Sequence, residues 1–428
     1  MSLEPSVPPA SGALLPPRAP MKPAKGTLGQ AFRALRHRNF QLFWAGQGIS
    51  VIGTWMQMTA QSWLIYRMTH SPMVLGLLTV ARFGPSLVIT PMSGHWADRW
   101  PRRRLVILTQ GASLVLATAL AWLALAGALR VGHILALAFL QGCVDCMDMT
   151  VRQTFQMDLV GPDDLQSAVA LNSAAFNSAR MVGPFLAGIL IARLGEGLCF
   201  ALNAASYGAV LATLFMIRVA PAATPAVRGS MREAIAAGMR YAWDTAAVRR
   251  VMLAIALTTA IGLAANTLTP ALARDILGTG SQGYGRLLAG AGVGAILGAL
   301  VSAGADTARF TPVVNALTLV GMGLSLLGLG WARSLPVAAL CMLALGCMAA
   351  IQFSTSNACL QTTAPPHLRG RVVSMYVWIF QGMTPLGGFA AGWLASRVGI
   401  PPTIQGAGVV CLLSGLWMGA SLRGKAGA

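Results

Sequence analysis

Charge is what this chain lacks. Only 10% of its 428 residues are Asp, Glu, Lys or Arg, against roughly 25% in ordinary soluble domains. Carboxylates are the rarer sign, 12 against 31 Lys and Arg. The histidines (His37, His70, His95, His133, His367) all fall in loops or at the ends of apolar stretches. This supply yields no Ser-His-Asp set and no paired carboxylates for acid–base work, so catalysis is not expected. Cys143-x-x-Cys146 has metal-like spacing, but no second Cys or His pair completes a tetrahedral site, so no metal is expected. Gly290-Ala-Gly292-Val-Gly294 mimics a dinucleotide fingerprint. It follows no strand and sits in an apolar run, where glycines serve helix packing, so no cofactor is expected either.

Hydrophobic residues, by contrast, make up 55% of the chain. Apolar stretches of about 20 residues recur, each long enough to cross a bilayer as a helix. About twelve can be placed, near 41–66, 74–96, 105–128, 133–157, 165–192, 198–218, 250–273, 284–305, 311–331, 336–361, 371–396 and 402–422. The fold class expected is an all-α membrane protein.

The net charge of +19 does not point to nucleic acid, because of where the cations lie. With both termini cytoplasmic, roughly 22 Lys and Arg fall on that side and about 7 on the other, and Arg82 and Arg180 stay inside stretches. The excess reads as a topology signal. Residues 1–32, rich in Pro, Ala and Ser, read as a disordered cytoplasmic tail and not as a cleaved signal. The seven cysteines lie almost entirely within apolar stretches and are expected to be free thiols.

The longest polar interruption, about 219–249, divides the stretches six and six. This gives an N-terminal unit over 33–220, a connector over 221–248 and a C-terminal unit over 249–424. Met231 to Asp244 within it fits a surface amphipathic helix. The halves echo one another. Val160-Gly-Pro leads into a stretch ending Ala187-Gly188-Ile-Leu-Ile-Ala-Arg193-Leu-Gly195, and Ala364-Pro-Pro leads into one ending Ala391-Gly392-Trp-Leu-Ala-Ser-Arg397-Val-Gly399. Asp98 and Asp306 form a weaker echo.

Between the second and third stretches stands Gly94-His95-Trp96-Ala97-Asp98-Arg99-Trp100-Pro101-Arg102-Arg103-Arg104. A small residue, a carboxylate four places on and a run of guanidinium groups resemble the loop signature of the major facilitator superfamily, with Trp96 and Pro101 replacing the usual leucine and second glycine. Asp148-Met-Thr-Val-Arg152-Gln153, then Leu171-Asn172-Ser173, then Asn177-Ser-Ala-Arg180-Met-Val-Gly183-Pro184 narrow this further. They resemble the branch containing enterobactin-exporter-like and macrolide-efflux-like transporters, which usually carry Pro where Thr150 stands here. The resemblance implies twelve transmembrane helices in two pseudo-symmetric six-helix bundles, with substrate between them. It also implies an inner-membrane secondary transporter working by alternating access, a monomer that exports small drug-like or siderophore-like amphipaths against protons. A lipid flippase or an uptake symporter is the alternative within the same fold. A membrane enzyme lacks a clustered catalytic set, and a sensor would carry a further soluble domain.

Ionisable residues well inside stretches are the sharpest site candidates, since each costs about 2.5–3.5 kcal/mol unless partnered or wetted. These are Arg82, Asp145 and Arg180. Asp148 and Arg152 stand four apart with the carboxylate first, the favourable order for an ion pair that locks one helix locally. Asp145 has no basic residue within four positions, and two readings stand: a carboxylate that gains and loses a proton, or a fixed partner for an Arg that ties spans four and five. For the loop, Gly94, Asp98, Arg99, Arg102 and Arg103 form a cytoplasmic gate motif by resemblance, with Asp98 latching onto the start of the eleventh span near Arg369. The cations alternatively only set topology. Gly183-Pro184-x-x-Ala187-Gly188 resembles the antiporter motif of the fifth helix. Neutral polar and aromatic residues, Asn177, Gln352, Asn357, Gln381 and Trp378, are candidate substrate-lining groups, with helix packing as the plainer role.

Overall fold

The computed structural model describes residues 32–97, 100–217, 239–304, 310–365 and 368–426. Among these residues all regular structure is helical. Ten helices are long and apolar enough to cross a membrane. In chain order the helices are α1 (Arg38–Thr69), α2 (Pro72–Phe83), α3 (Ser86–Ala97), α4 (Arg102–Leu125), α5 (Val131–Gly161), α6 (Asp163–Leu194) and α7 (Glu196–Met216). They continue as α8 (Ala246–Ile276), α9 (Gly280–Gly304), α10 (Thr311–Trp331), α11 (Leu335–Thr363), α12 (Arg369–Val398) and α13 (Ile400–Ala426). Helices α1 and α12, with 32 and 30 residues, are as long as the others but more polar along their length, and so fall outside the ten.

Local breaks follow from Gly and Pro. Pro85 has no N–H to donate, so the second span divides at Gly84-Pro85 into α2 and α3. Gly161, at φ 72°, turns α5 into α6 without an intervening loop. Gly195 and Gly399, at φ 80° and 92°, end α6 and α12 in the same way, so the echo in the sequence is an echo of backbone shape. Helix α8 widens into π turns at Thr258–Gly262 and Leu272–Ile276, on either side of Pro270. The stretch expected as an amphipathic helix is helical over 239–244; Met231 to 238, the tail and most of the connector lie outside the described residues.

Antiparallel succession puts the starts of α1 and α8 and the end of α13 on one face, the termini face. The turns at 70–71, 126–130 and 277–279 lie on the other, the turn face. The apolar core is shared at the turn face and divided at the termini face. One cluster joins Met56, Trp63, Tyr66, Leu75 and Ile191 of the first half to Leu268, Leu272, Tyr284 and Leu287 of the second. Towards the termini face the first half keeps its own cluster around Phe40, Phe43, Phe155 and Leu214, and the second its own around Val251, Ile255, Leu360 and Val372.

Two helix pairs make the closest backbone approaches between the halves. On α6, a Cβ at Gly188 would stand 2.8 Å from the Ser281 carbonyl oxygen and 3.1 Å from Gly285 Cα of α9. On α12, a Cβ at Gly392 would stand 2.5 Å from the Pro72 carbonyl oxygen and 3.0 Å from Gly76 Cα of α2. These are the same contact made twice at matched positions, and only a missing side chain permits the approach. Trp63 stacks on Tyr284 at 5.9 Å, and Tyr66 donates to Asp275, both across the same closed end.

Candidate functional site

Gly142 of α5 lies directly against the Arg82 carbonyl, so α5 and α2 pack backbone to backbone one turn from Asp145. This proximity brings Arg82 Nη2 to 2.5 Å from Asp145 Oδ2. The other carboxylate oxygen accepts from Gln141 Nε2 at 2.9 Å, and the same nitrogen donates to Ser113 Oγ at 2.9 Å. Helices α2, α4 and α5 are thus tied through one carboxylate. The pair is lopsided in its surroundings, with the Arg82 side chain 9% exposed and that of Asp145 42%. The fixed-partner reading of Asp145 therefore needs one adjustment: the Arg it meets comes from the second span, not the fifth.

Asp148 is a different kind of group. It is buried, accepts from Thr109 Oγ1 at 2.7 Å and Gln110 Nε2 at 2.8 Å, and pairs with Arg152 on its own helix. A carboxylate with this many donors is held in place. Its counterpart in the second half is Gln352, fully buried, whose Oε1 accepts from Thr318 Oγ1 at 2.9 Å and whose Nε2 donates to the Ala254 carbonyl at 3.2 Å. Arg82, Asp145 and Arg152 are matched there by Ala291, Ala349 and Ser356. One scaffold is thus charged in one half and neutral in the other.

Arg180 projects from the side of α6 that continues to the packed Ala187 and Ile191. Its guanidinium carbon stands 5.9 Å from the ring centroid of Trp55 on α1, and Trp55 meets Phe176 edge to face at 5.7 Å. Gly183 allows this meeting, because a Cβ there would stand 2.6 Å from Trp55 Cβ. Pro184 places its carbonyl beside Gly285 of α9, and Asn177 donates back to the Ser173 carbonyl at 2.9 Å.

On α12, Gln381 faces the first half: its Oε1 accepts from Thr90 at 3.3 Å and its Nε2 approaches Met149 Sδ at 3.2 Å. Trp378 Nε1 donates to the Leu87 carbonyl at 3.3 Å. Asn357 accepts from Gln361 at 2.7 Å on its own helix. Of the loop residues, Arg102 pairs with Asp158 at 2.7 Å and Arg103 donates to the Leu214 carbonyl at 2.9 Å, both within the first half. Gly94 lies within the helical run of α3, whereas Asp98, Arg99 and Asp306 lie outside the described residues.

Sequence reasoning missed Trp55, Gln141, Thr109 and the Tyr66–Asp275 bond. Asp275 and Tyr66 sit near span ends where polar residues are ordinary, so nothing local marks them. Trp55 carries no signal until Gly183 is seen to lie against it.

Comparison with known proteins agrees with this geometry. The profile of the family described as transmembrane secretion effector (MFS_3) matches residues 29–424. The multidrug efflux pump Tap of Mycolicibacterium fortuitum is 26% identical over 382 residues, covering 87% of this chain and 91% of that protein. The staphyloferrin A transporter of Staphylococcus aureus is 23% identical over 377 residues, with 86% and 93% covered. The enterobactin exporter EntS of Salmonella typhimurium is 26% identical over 351 residues, with 81% and 83% covered. Among solved structures, the nucleoside transporter NupG superposes with a TM-score of 0.70 at 12% identity, over 89% of this chain and 99% of that one. A bacterial homologue of the lysosomal transporter Spinster, solved inward-facing and unoccupied, superposes with 0.67 at 13% identity, over 92% and 97%. The paired glycine contacts, the charged first half and the matched length of the chain converge on one assignment: the protein belongs to the transmembrane secretion effector family of the major facilitator superfamily, multi-pass membrane transporters and not enzymes.

Proposed function

We propose that this transporter is a secondary active exporter of the inner membrane, a monomer moving small drug-like or siderophore-like amphipaths outward in exchange for protons. In this reading α2 and α3 form one broken span, and twelve spans make two six-helix bundles with both termini cytoplasmic. The observation that carries it is the uneven core, joined at the turn face and split at the termini face. Such a core suits a two-state machine, because the halves can rock against each other, parting the glycine contacts at the turn face as the termini face closes. The efflux pump and exporter among the relatives support the outward direction.

Arg82 and Asp145 supply the coupling in this proposal. A proton and the Arg82 guanidinium compete for the same carboxylate oxygen, so protonation and ion pairing exclude each other. Asp145, the more exposed partner, is the one a proton can reach. Loss of the pair leaves Arg82 buried without its counter-charge, a cost that biases the halves towards the other arrangement. The buried, multiply bonded Asp148 serves as a fixed post. Asp98 adds the latch at the termini face, against the start of α12.

The test uses inside-out vesicles acidified by respiration, with a pH-sensitive dye and a panel of antibiotics, dyes and siderophores. A compound that releases protons from wild-type vesicles but not from Asp145→Asn vesicles supports antiport and its coupling residue together. Equal release from both removes Asp145 from the mechanism. No release with any compound, alongside movement of a fluorescent lipid, turns the reading to a flippase.

A further inference from the structure

When the cations and carboxylates in the middle of the first half's helices are matched, Arg180 is left over. Arg82 is paired with Asp145 and Arg152 with Asp148. Among the described residues no carboxylate is paired with Arg180, which lies over the face of Trp55. An aromatic face contributes about 0.5–2 kcal/mol to a cation, less than a desolvated guanidinium loses.

The exposure pattern of α6 locates this cation. Gln166, Val169, Ser173 and Phe176 precede Arg180 on the same side of the helix and are exposed. Ala187 and Ile191 continue that side beyond it and are buried. The reverse side inverts the pattern at its ends, with Ser167 and Leu171 buried and Phe185 and Leu186 exposed, while Ala174 and Ser178 between them are exposed. The inner side of α6 is therefore open from the termini face down to Arg180 and closed below. Arg180 stands at the floor of that opening, over the ring of Trp55, which Phe176 meets edge to face.

The geometry points to Arg180 as the anchor for an anionic group of the cargo, which is then an amphipath carrying a carboxylate beside a flat apolar ring system. This rests on the transport reading above and names the substrate class for it. In the structure the guanidinium rests on Trp55. A carboxylate offers it two parallel N–H···O bonds in place of one ring face, a bidentate match that Lys cannot reproduce. Trp55 and Phe176, set edge to face, then flank the apolar part of the ligand.

The experiment measures thermal unfolding of the purified full chain in detergent with matched ligand pairs: naphthalene and quinoline carboxylates, and the carboxamides of the same rings. The carboxylates should raise the midpoint of wild type and the carboxamides should not. Apparent affinity should fall at least tenfold in Arg180→Gln, and by an intermediate factor in Arg180→Lys, which keeps the charge if the neutral variant fails to fold. Equal effects of acid and amide across the panel, null effects included, overturn the inference, as does an acid effect that survives Arg180→Gln. A parallel titration of phosphatidylglycerol into zwitterionic nanodiscs separates the other source of an anion. Arg180-dependent stabilisation by that lipid alone, with the acids inert, assigns the site to a headgroup and overturns the cargo reading. Binding is read without transport, so failure of proton exchange in vesicles bears on the transport proposal and not on this one.

Discussion

Thr318 donates to Gln352 Oε1 at 2.9 Å on the helix contact where, in the other half, Thr109 donates to Asp148 Oδ1 at 2.7 Å. The two hydroxyls and the two acceptors occupy matched positions, so the amide and the carboxylate are alternatives for one structural task. What differs is the neighbour four residues on: Arg152 needs a carboxylate, and Ser356 does not.

Asp148→Asn keeps acceptors for Thr109 and Gln110 but strands Arg152. Breaking a buried pair in this way costs about 3–5 kcal/mol. The unfolding midpoint in detergent should drop markedly, and the double variant Asp148→Asn/Arg152→Ser, which copies the second half, should recover most of the loss. A double variant as unstable as the single one would show that the two sites are not equivalent.

The glycine contacts should be sensitive to a single side chain. Gly188→Val and Gly392→Val each force a methyl-bearing carbon against an opposing carbonyl, at 2.8 Å and 2.5 Å for Cβ alone. Both variants should fold yet disfavour closure at the turn face. A cysteine placed at Trp63 should then react faster with a membrane-impermeant maleimide in each. Unchanged labelling would show that closure does not depend on these approaches.

Tyr66→Phe removes the bond to Asp275 that spans the closed face. A net hydrogen bond to a charged group is worth about 1.5–3 kcal/mol, so the balance between arrangements should move by roughly tenfold or more. The same Trp63 cysteine reports it, and Asp275→Asn should act in the same direction with a smaller effect. Protection equal to that of wild type in both variants would leave the bond without a gating role.

The charged loop separates into two roles that mutation can divide. Arg103→Ala removes a cation from the last carbonyls of α7, at 2.9 Å from Leu214 O, and should cost about 1 kcal/mol of stability with little change in transport rate. Asp98→Ala should do the reverse, slowing transport with stability and membrane insertion unchanged. A stability loss in the second variant would reassign Asp98 to a structural part.

The succession of helices was legible because bilayer thickness and backbone satisfaction leave almost no alternative to apolar helices of this length. The repeat was legible where it is written in Gly and Arg, at Gly188/Gly392 and Gly195/Gly399, since those positions have a backbone reason for their identity. Where the repeat is kept by shape and lost in residue type, as at Asp148 and Gln352, the sequence hides it. Asp145 could be singled out as unpartnered along its own helix, but the choice of Arg82 over Arg180 depends on Gly142 and the close approach of α2, a tertiary fact. Gln352 stood among the groups expected to line a substrate path. In the structure it is fully buried between α8 and α10, because a buried amide with two good partners has no reason to turn outward.

The joined core at the turn face also makes the protein responsive to heat. Water-driven burial of Met56, Leu75, Leu268 and Leu287 holds that face shut, and this force weakens on cooling. Cold should therefore loosen the apolar part of the closed face relative to the polar contact of Tyr66 with Asp275, and the balance between the two arrangements should follow a curved line against inverse temperature. Turnover measured at a single temperature then samples one point on a slope set by hydration.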